Sequence, residues 1–258
     1  MNAEIIVFIT GAKRGLGFET AKKLLVEKRY HVIVGSRNAA DGVTAVKTLQ
    51  GRPDTRGRVS NVTIDVTEDS SVEAARSHIE SAFGRLDILV HHAVIYKFHP
   101  LSPESPLVEI DDLRDSFETN VVGVARVTEA LLPLLRRSNS RPRLVFVSSS
   151  MASLMHNGEA DSPHGGTHAP EYRASKAAFN MLLVQYRMFA RDITGIGVDP
   201  RFCSTDVTGD TAATRKMGAA EPEVGARVIT SVVKGEKDDV PGRVGCEKPS
   251  TLKSRTIG

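Results

Sequence analysis

The chain has no tryptophan, two cysteines and an aromatic content of 5% over 258 residues. Cys203 and Cys246 stand far apart and in no metal-ligand spacing. They read as free thiols in a reducing compartment, with neither a disulfide framework nor a thiolate metal site behind them. No apolar run reaches the length of about 18 residues that crosses a membrane. A strand-like run starts at Glu4 with no charged leader before it, so neither a signal nor a transit peptide is expected and the default location is cytoplasmic. A large excess of one charge is missing too: the formal net charge is +3. The basic residues are dispersed, the densest groups being Lys13–Arg14, Arg136–Arg137 and Lys248–Arg255. Such scatter describes a solvated surface, and neither nucleic acid nor a membrane is expected as a partner.

What is present is an ordinary globular composition, 40% hydrophobic and 25% charged, at a length suited to one large α/β domain. Short apolar runs predict strands over Ile5–Ile9, His31–Gly35, Val59–Asp65, Leu86–His91, Leu144–Ser148 and Ile196–Asp199, with a weak one near Arg243–Cys246. Helical spacing predicts Gly15–Lys28, a helix containing Val43–Leu49, then Val72–Phe83, one long helix over Leu113–Arg137, and Tyr172–Arg191. This alternation means βαβ units and a parallel sheet with right-handed crossovers. The expectation is a single doubly wound α/β domain over residues 1–258 with about six or seven strands. Residues 151–170 read as an inserted loop and 236–258 as a poorly patterned tail. Ligands of such sheets bind beyond the carboxyl ends of the strands.

The first strand runs into Thr10-Gly11-Ala12-Lys13-Arg14-Gly15-Leu16-Gly17. Missing side chains at Gly11, Gly15 and Gly17 let a pyrophosphate reach backbone N–H groups, that of Leu16 included, at a helix N-terminus whose dipole favours negative charge. Incidental glycines in a strand-helix turn are the plainer alternative, and the place of this turn in the first βαβ unit argues against it. The second strand ends Gly35-Ser36-Arg37, without the carboxylate that NAD sites carry about 20 residues past the turn for the ribose hydroxyls. Arg37, with Arg14 from the turn, offers guanidinium groups suited to a 2′-phosphate, so NADP(H) is expected over NAD(H); two surface arginines are the alternative. Asp65 either accepts a bond from the adenine amine or caps the next turn.

Tyr172 and Lys176 are four apart and share one helical face. A nearby ammonium favours the phenolate, so Lys176 is expected to lower the pKa of Tyr172 and fit it for proton transfer near neutral pH. Ser149, just past the fifth strand, can hydrogen-bond a substrate oxygen. Asn120 lies inside the long helix, where asparagine is mildly unfavourable, and it can hold a water that relays protons to Lys176. Singly these are a helix-surface pair, a loop serine and a solvated asparagine.

As a set, the residues resemble the short-chain dehydrogenase/reductase family over about residues 4–235. The matching pieces are Thr10-Gly11-xxx-Gly15-x-Gly17, Asp65-Val66, Asn120-Val121 with Gly123, Ser149 and Tyr172-xxx-Lys176. The resemblance implies a Rossmann-like domain, a homodimer or homotetramer formed by helix packing, and a small-molecule substrate. It implies Tyr172 as acid/base, Ser149 as its polarising partner, Lys176 on the nicotinamide ribose and Asn120 completing the relay. Asp65, Val66, Ala93 and Thr205 fall at its cofactor-contacting positions.

Three departures stand out. The family's Asn-Asn-Ala-Gly is His91-His92-Ala93-Val94 here, which adds bulk beside the cofactor. Adjacent histidines at a strand end point to opposite faces, so no metal site is expected. The family's Pro-Gly is Asp199-Pro200-Arg201, placing Arg201 near the nicotinamide end to touch cofactor or substrate. The Ser149-to-Tyr172 interval is longer than the family's short form, and the extra loop holds Asp161. Asp-Pro-Arg also resembles a fungal subset of reductases that couple NADPH chemistry to an intramolecular Diels–Alder cyclisation in indole-alkaloid assembly, which would give Asp161 and Arg126 substrate roles. The leading expectation is an NADPH-dependent carbonyl or imine reductase acting on a secondary metabolite. The alternatives are that cyclase and a retired NADP(H)-binding protein.

Overall fold

The computed structural model describes residues 4–97, 104–159, 162, 167–238 and 244–245. One parallel sheet runs through it in the order β3-β2-β1-β4-β5-β6-β7. Its strands are β1 (Ile5–Ile9), β2 (Tyr30–Ser36), β3 (Arg58–Thr63), β4 (Ile88–His91), β5 (Arg143–Val147), β6 (Thr194–Val198) and the two-residue β7 (Val244–Gly245). The winding reverses beside β1, between β2 and β4, and that crevice is where a doubly wound sheet binds ligand.

Successive side chains on a strand face opposite ways, and the core divides accordingly. Ile6, Phe8, Ile33, Leu89, Leu144 and Phe146 pack on one face under α3 (Asp69–Phe83), α5 (Gly123–Leu135) and α7 (Pro170–Phe189). Val7, Ile9, Val32, Val90, Val145 and Ile196 pack on the other, under α1 (Gly15–Leu24), α2 (Ala39–Gln50) and α9 (Pro222–Val233). Burial on both faces is why these strands read as unbroken apolar runs.

Two elements differ from the sequence expectation. The long helix is α4 (Ile110–Phe117), a π-turn over Glu118–Val122 and then α5. One extra residue per turn at Asn120 re-aims its side chain, a device frequent at functional sites. The second difference is α9, which went unanticipated together with α8 (Thr211–Lys216). Ala226, Ile229 and Val233 recur at helical spacing behind Pro222 at the first helical turn, so the signal was present. Of the long loop, Ser150–Ala152 forms a 3-10 turn and Leu154–Gly158 a short helix, α6, whereas Asp161 lies outside the described residues.

The tail contributes one strong anchor. Arg143, buried at the start of β5, donates to Asp238 Oδ1 at 2.5 Å and Oδ2 at 2.6 Å, and Arg141 adds a contact at 3.1 Å. The Arg143 bond is the main cause holding the Asp238 carboxyl below the usual carboxylate range. Removing one partner of such a pair leaves a buried charge uncompensated, so Asp238→Ala is expected to lose about 3 kcal/mol in urea unfolding at neutral pH. Because the folded pKa is lowered, this stability is present above the ordinary carboxylate range and fades as pH falls through it. A variant as stable as the parent at pH 7 contradicts the assignment.

Candidate active site

The glycine turn is shaped by what crosses it. Thr10, at the end of β1, accepts the N–H groups of His92 and Ala93 on its Oγ1, each at 3.0 Å. That pins the chain leaving β4 over the turn. A Cβ on Gly11 would stand 2.8 Å from Ala93 Cα, and Gly11 has φ +69, so glycine is required twice over. A Cβ on Gly17 would meet His92 Nδ1 at 2.8 Å. A Cβ on Gly15 would meet only Thr205, at 3.8 Å, so the space beside it is open, although its φ of +61 still favours glycine. The N-cap of α1, Arg14, makes no side-chain cap bond and the first turn holds no acid. Free N–H groups and an unopposed helix dipole over an open glycine fit a pyrophosphate.

The residues expected on the adenosine side divide. Arg37 is exposed at the end of β2 and acts on Asp65, whose carboxyl is lowered against the pull of burial by Thr67 and the arginines Arg37 and Arg126. Arg14 turns instead to Asp206, 3.7 Å away beyond β6. Lys13 pairs with Asp41 of α2, and both line a groove with Arg14 and Gly15. Ser36 is buried and donates to Asn38 O. Asp65 takes the turn-capping option: its Oδ1 accepts the Thr67 N–H at 3.0 Å and hydroxyl at 2.8 Å. Val66 packs against Gly123, where any side chain would collide with it at 2.8 Å. Arg126 is not brought to the catalytic residues. Its guanidinium is engaged by Asp69, Glu118 and the Val66 carbonyl, because those acceptors surround its position on α5.

On the other side of the crevice, α7 supplies Tyr172 and Lys176. Ser149, which caps the 3-10 turn after β5, accepts the Met151 N–H at 3.2 Å and lies close enough to the Tyr172 phenol to lower its pKa. Lys176 is buried, donates to the Val147 carbonyl at 2.6 Å and lies 3.7 Å from the Phe179 ring centroid. Burial pushes its ammonium down to about 7, and Asp199 works in the opposite direction. The expected lowering of Tyr172 is corrected. Burial is the dominant influence and raises it, Asp199 and Tyr96 raise it further, and Ser149 alone lowers it. A phenol held neutral is the form a proton donor needs.

Asn120 has protein partners on its side-chain amide. Its Oδ1 accepts Ile95 N–H at 2.9 Å, and its Nδ2 donates to Ile95 O and Ser175 Oγ, both at 3.0 Å. Ser175 passes the link to the Tyr172 carbonyl at 2.8 Å. The amide hydrogens are thus spent on clamping the β4 exit to α7. The two histidines diverge, with His91 Nε2 meeting Thr128 Oγ1 at 2.7 Å on α5 while His92 faces α1. Burial pushes them down to about 3 and about 4, so both are neutral.

Of the two replaced family glycines, Val94 has ordinary backbone whereas Arg201 has φ 70. That strained conformation is held by Asp199, whose Oδ1 accepts the Arg201 N–H at 2.8 Å. Arg201 is exposed and its guanidinium makes no hydrogen bond or ion pair among the described residues. Among the described residues the other non-glycine with positive φ is Ala169, φ 50, the N-cap of α7 three residues before Tyr172. Four contributors escaped the sequence reading. His92 fills the glycine turn. Tyr96 stacks edge-on to Tyr172 with ring centroids 5.0 Å apart. Arg173 ties the loop to α7 through His168 O, at 2.8 Å, and Asn157. Asp199 faces the Tyr172/Lys176 pair. Only Asp199 carried a signal, as the odd acid in Asp-Pro-Arg.

The family model described as short chain dehydrogenase matches residues 5–216. The short-chain dehydrogenase/reductase tropE of Talaromyces stipitatus is 32% identical, covering 92% of this chain and 93% of that one. The short-chain dehydrogenase anuI of Penicillium roqueforti is 34% identical over 93% and 92% of the two chains. Among solved structures, the KRED1-Pglu enzyme superposes with a TM-score of 0.76 at 23% identity, over 93% of this chain and 100% of that one. An alcohol dehydrogenase of Thermococcus sibiricus complexed with 5-hydroxy-NADP gives 0.74 at 20% identity, over 93% of each chain. With the glycine turn, the Ser149–Tyr172 contact and the parallel sheet in place, the chain belongs to the short-chain dehydrogenase family of NAD(P)(H)-using oxidoreductases.

Proposed function

We propose that the protein is an NADPH-dependent reductase of a carbonyl or imine group on a small organic substrate, with Tyr172 as the proton donor. The observation that carries this reading is Ser149 set against the Tyr172 phenol beside the buried Lys176, at the carboxyl end of the sheet. The dinucleotide, when bound, supplies the hydride. Gly11, Gly15, Leu16 and Gly17 would hold its pyrophosphate, Ala93 and Val66 its adenosine side, and Thr205 its carboxamide end. Arg37, exposed and beside Ser36, would meet the 2′-phosphate, with Arg14 joining it on leaving Asp206. Lys176 would exchange the Val147 carbonyl for the ribose hydroxyls. Ser149 orients the substrate oxygen or nitrogen, and Tyr172 gives it the proton. Arg201, unpaired on the facing loop, would border the substrate. Two plant relatives, each matching 57% of this chain, carry the names (-)-isopiperitenone reductase and (+)-neomenthol dehydrogenase, in keeping with a small-molecule substrate. The engagement of Arg126 by Asp69 and Glu118 removes an arginine that the cyclase alternative needs.

A homodimer or homotetramer is part of the same reading. Outward on α7, Met181 at 59% exposure and Met188 at 62% join Ala174 and Val184 in one apolar stripe at helical spacing. A second copy offers the same stripe, as a twofold contact requires. No helix among the described residues is long and apolar enough to cross a membrane.

With a panel of ketones and imines, Tyr172→Phe is expected to lower kcat/KM by about 10²–10⁴ while NADPH still binds. Unchanged turnover sinks the role of Tyr172. Arg37→Ser is expected to weaken NADPH about tenfold or more, with little effect on NADH, measured by titration calorimetry. Equal losses for the two cofactors rule out a 2′-phosphate contact. Met181→Asp with Met188→Asp is expected to yield monomers in sedimentation; a parent chain that is already monomeric disproves the interface.

A further inference from the structure

Asp199 directly follows β6 and is 7% exposed, beside the site but outside the residues that proton transfer uses. Its placement follows from strand register. Val198 pairs with Val147, and Ser148 donates its N–H to the Val198 carbonyl at 2.7 Å. The Val147 and Val198 side chains pack on the α1/α9 face of the sheet. Alternation therefore turns the next residues, Ser148 and Asp199, toward the α7 face. Ser148 shows this directly, donating to Asn180 Oδ1 of α7 at 2.5 Å. Asn180 is one helical turn from Lys176, whose Nζ rests on the Val147 carbonyl. The Asp199 carboxylate and the Lys176 ammonium thus enter the same space from β6 and from α7.

Among the described residues, the other titratable groups around Lys176 carry no negative charge. Tyr172 on its own helix is held as the phenol. His91 and His92, at the end of β4, are held neutral by burial. The Cys203 thiol, on the loop after β6, is pushed up by burial and by Asp199 itself. The carboxylate makes one hydrogen bond, from the Arg201 N–H to Oδ1, and Oδ2 takes none from the described residues.

We propose that Asp199 is a positioning residue whose buried carboxylate is the counter-ion that favours the charged form of Lys176. The inference rests on the reading of Lys176 given above. Burial pulls the ammonium down and the carboxylate opposes it, leaving Lys176 at about 7, so without Asp199 the inflection falls lower still. Taken alone, Asp199 would oppose the negative charge that Tyr172 acquires on giving up its proton. Paired with a charged Lys176, it leaves the site with an ammonium poised to offset that charge. The acid at the head of Asp-Pro-Arg then has its use through Lys176, and the arginine that follows is carried in a strained turn by the same carboxylate.

The test is the protonation of Lys176 itself, read by competitive acetylation with acetic anhydride across pH and peptide mass spectrometry on the folded chain. Asp199→Asn keeps an oxygen for the Arg201 N–H and removes the charge. Its Lys176 inflection is expected about one pH unit or more below that of the parent, whereas Asp199→Glu stays within a few tenths. Asp199→Ser, also neutral, gives the same readout if the asparagine chain does not fold. An inflection unmoved by the neutral variants overturns the proposal. The alkaline limb of kcat/KM is expected to move with the label. Labelling needs no substrate, so a shifted lysine in a chain without reductase activity upholds the counter-ion and rejects the reductase, and an active enzyme with an unshifted lysine does the reverse.

Discussion

A lysine ammonium sits almost without solvent at the carboxyl end of a parallel sheet, and the site is arranged around what that burial costs. Desolvation favours the neutral amine. Three contacts act against it: the Val147 carbonyl at 2.6 Å, the Phe179 ring face and the Asp199 carboxylate. Each comes from a different segment, so the charged form of Lys176 is favoured only when β5, the residues after β6 and α7 are seated together. The same dry environment keeps Tyr172 protonated. The raised phenol and the lowered ammonium therefore share one physical origin.

Around this centre, hydrogen bonds from single side chains hold the crevice open at the right width. Thr10 fixes the exit of β4 over the glycine turn. Asn120 fixes the next few residues of that exit to α7, and the π-turn is what lets a helix residue reach both. Arg173 draws the loop after β5 against α7 on the opposite wall. None of these groups needs to touch substrate; they decide where Ser149, Tyr172 and Lys176 stand.

Much of this was legible in the sequence, and the rest failed for identifiable reasons. Strands buried on both faces announce themselves as apolar runs, and their ends moved by a residue or two because pairing, not hydropathy, sets them. Tyr172 and Lys176 were readable from their helical spacing. The sign of the Tyr172 shift was not, since burial outweighs a neighbouring ammonium and does not show in spacing. The π-turn adds one residue without breaking the apolar pattern, so a single helix was expected over Leu113–Arg137. Arg126 was assigned by position, yet a long side chain goes where its acceptors are, and these lie at Asp69, Glu118 and Val66 O. His92, Tyr96 and Arg173 act through contacts between segments distant in sequence. α9 was a missed pattern, not a hidden one.

The central claim is that the chain moves a hydride from NADPH to a carbonyl or imine carbon, with its proton from Tyr172. The most direct measurement is the fate of deuterium from stereospecifically 4-deuterated NADPH during turnover of a ketone or imine substrate. The account predicts one deuterium on the reduced carbon of the product, delivered from one face of the nicotinamide. Product that forms without the label contradicts it.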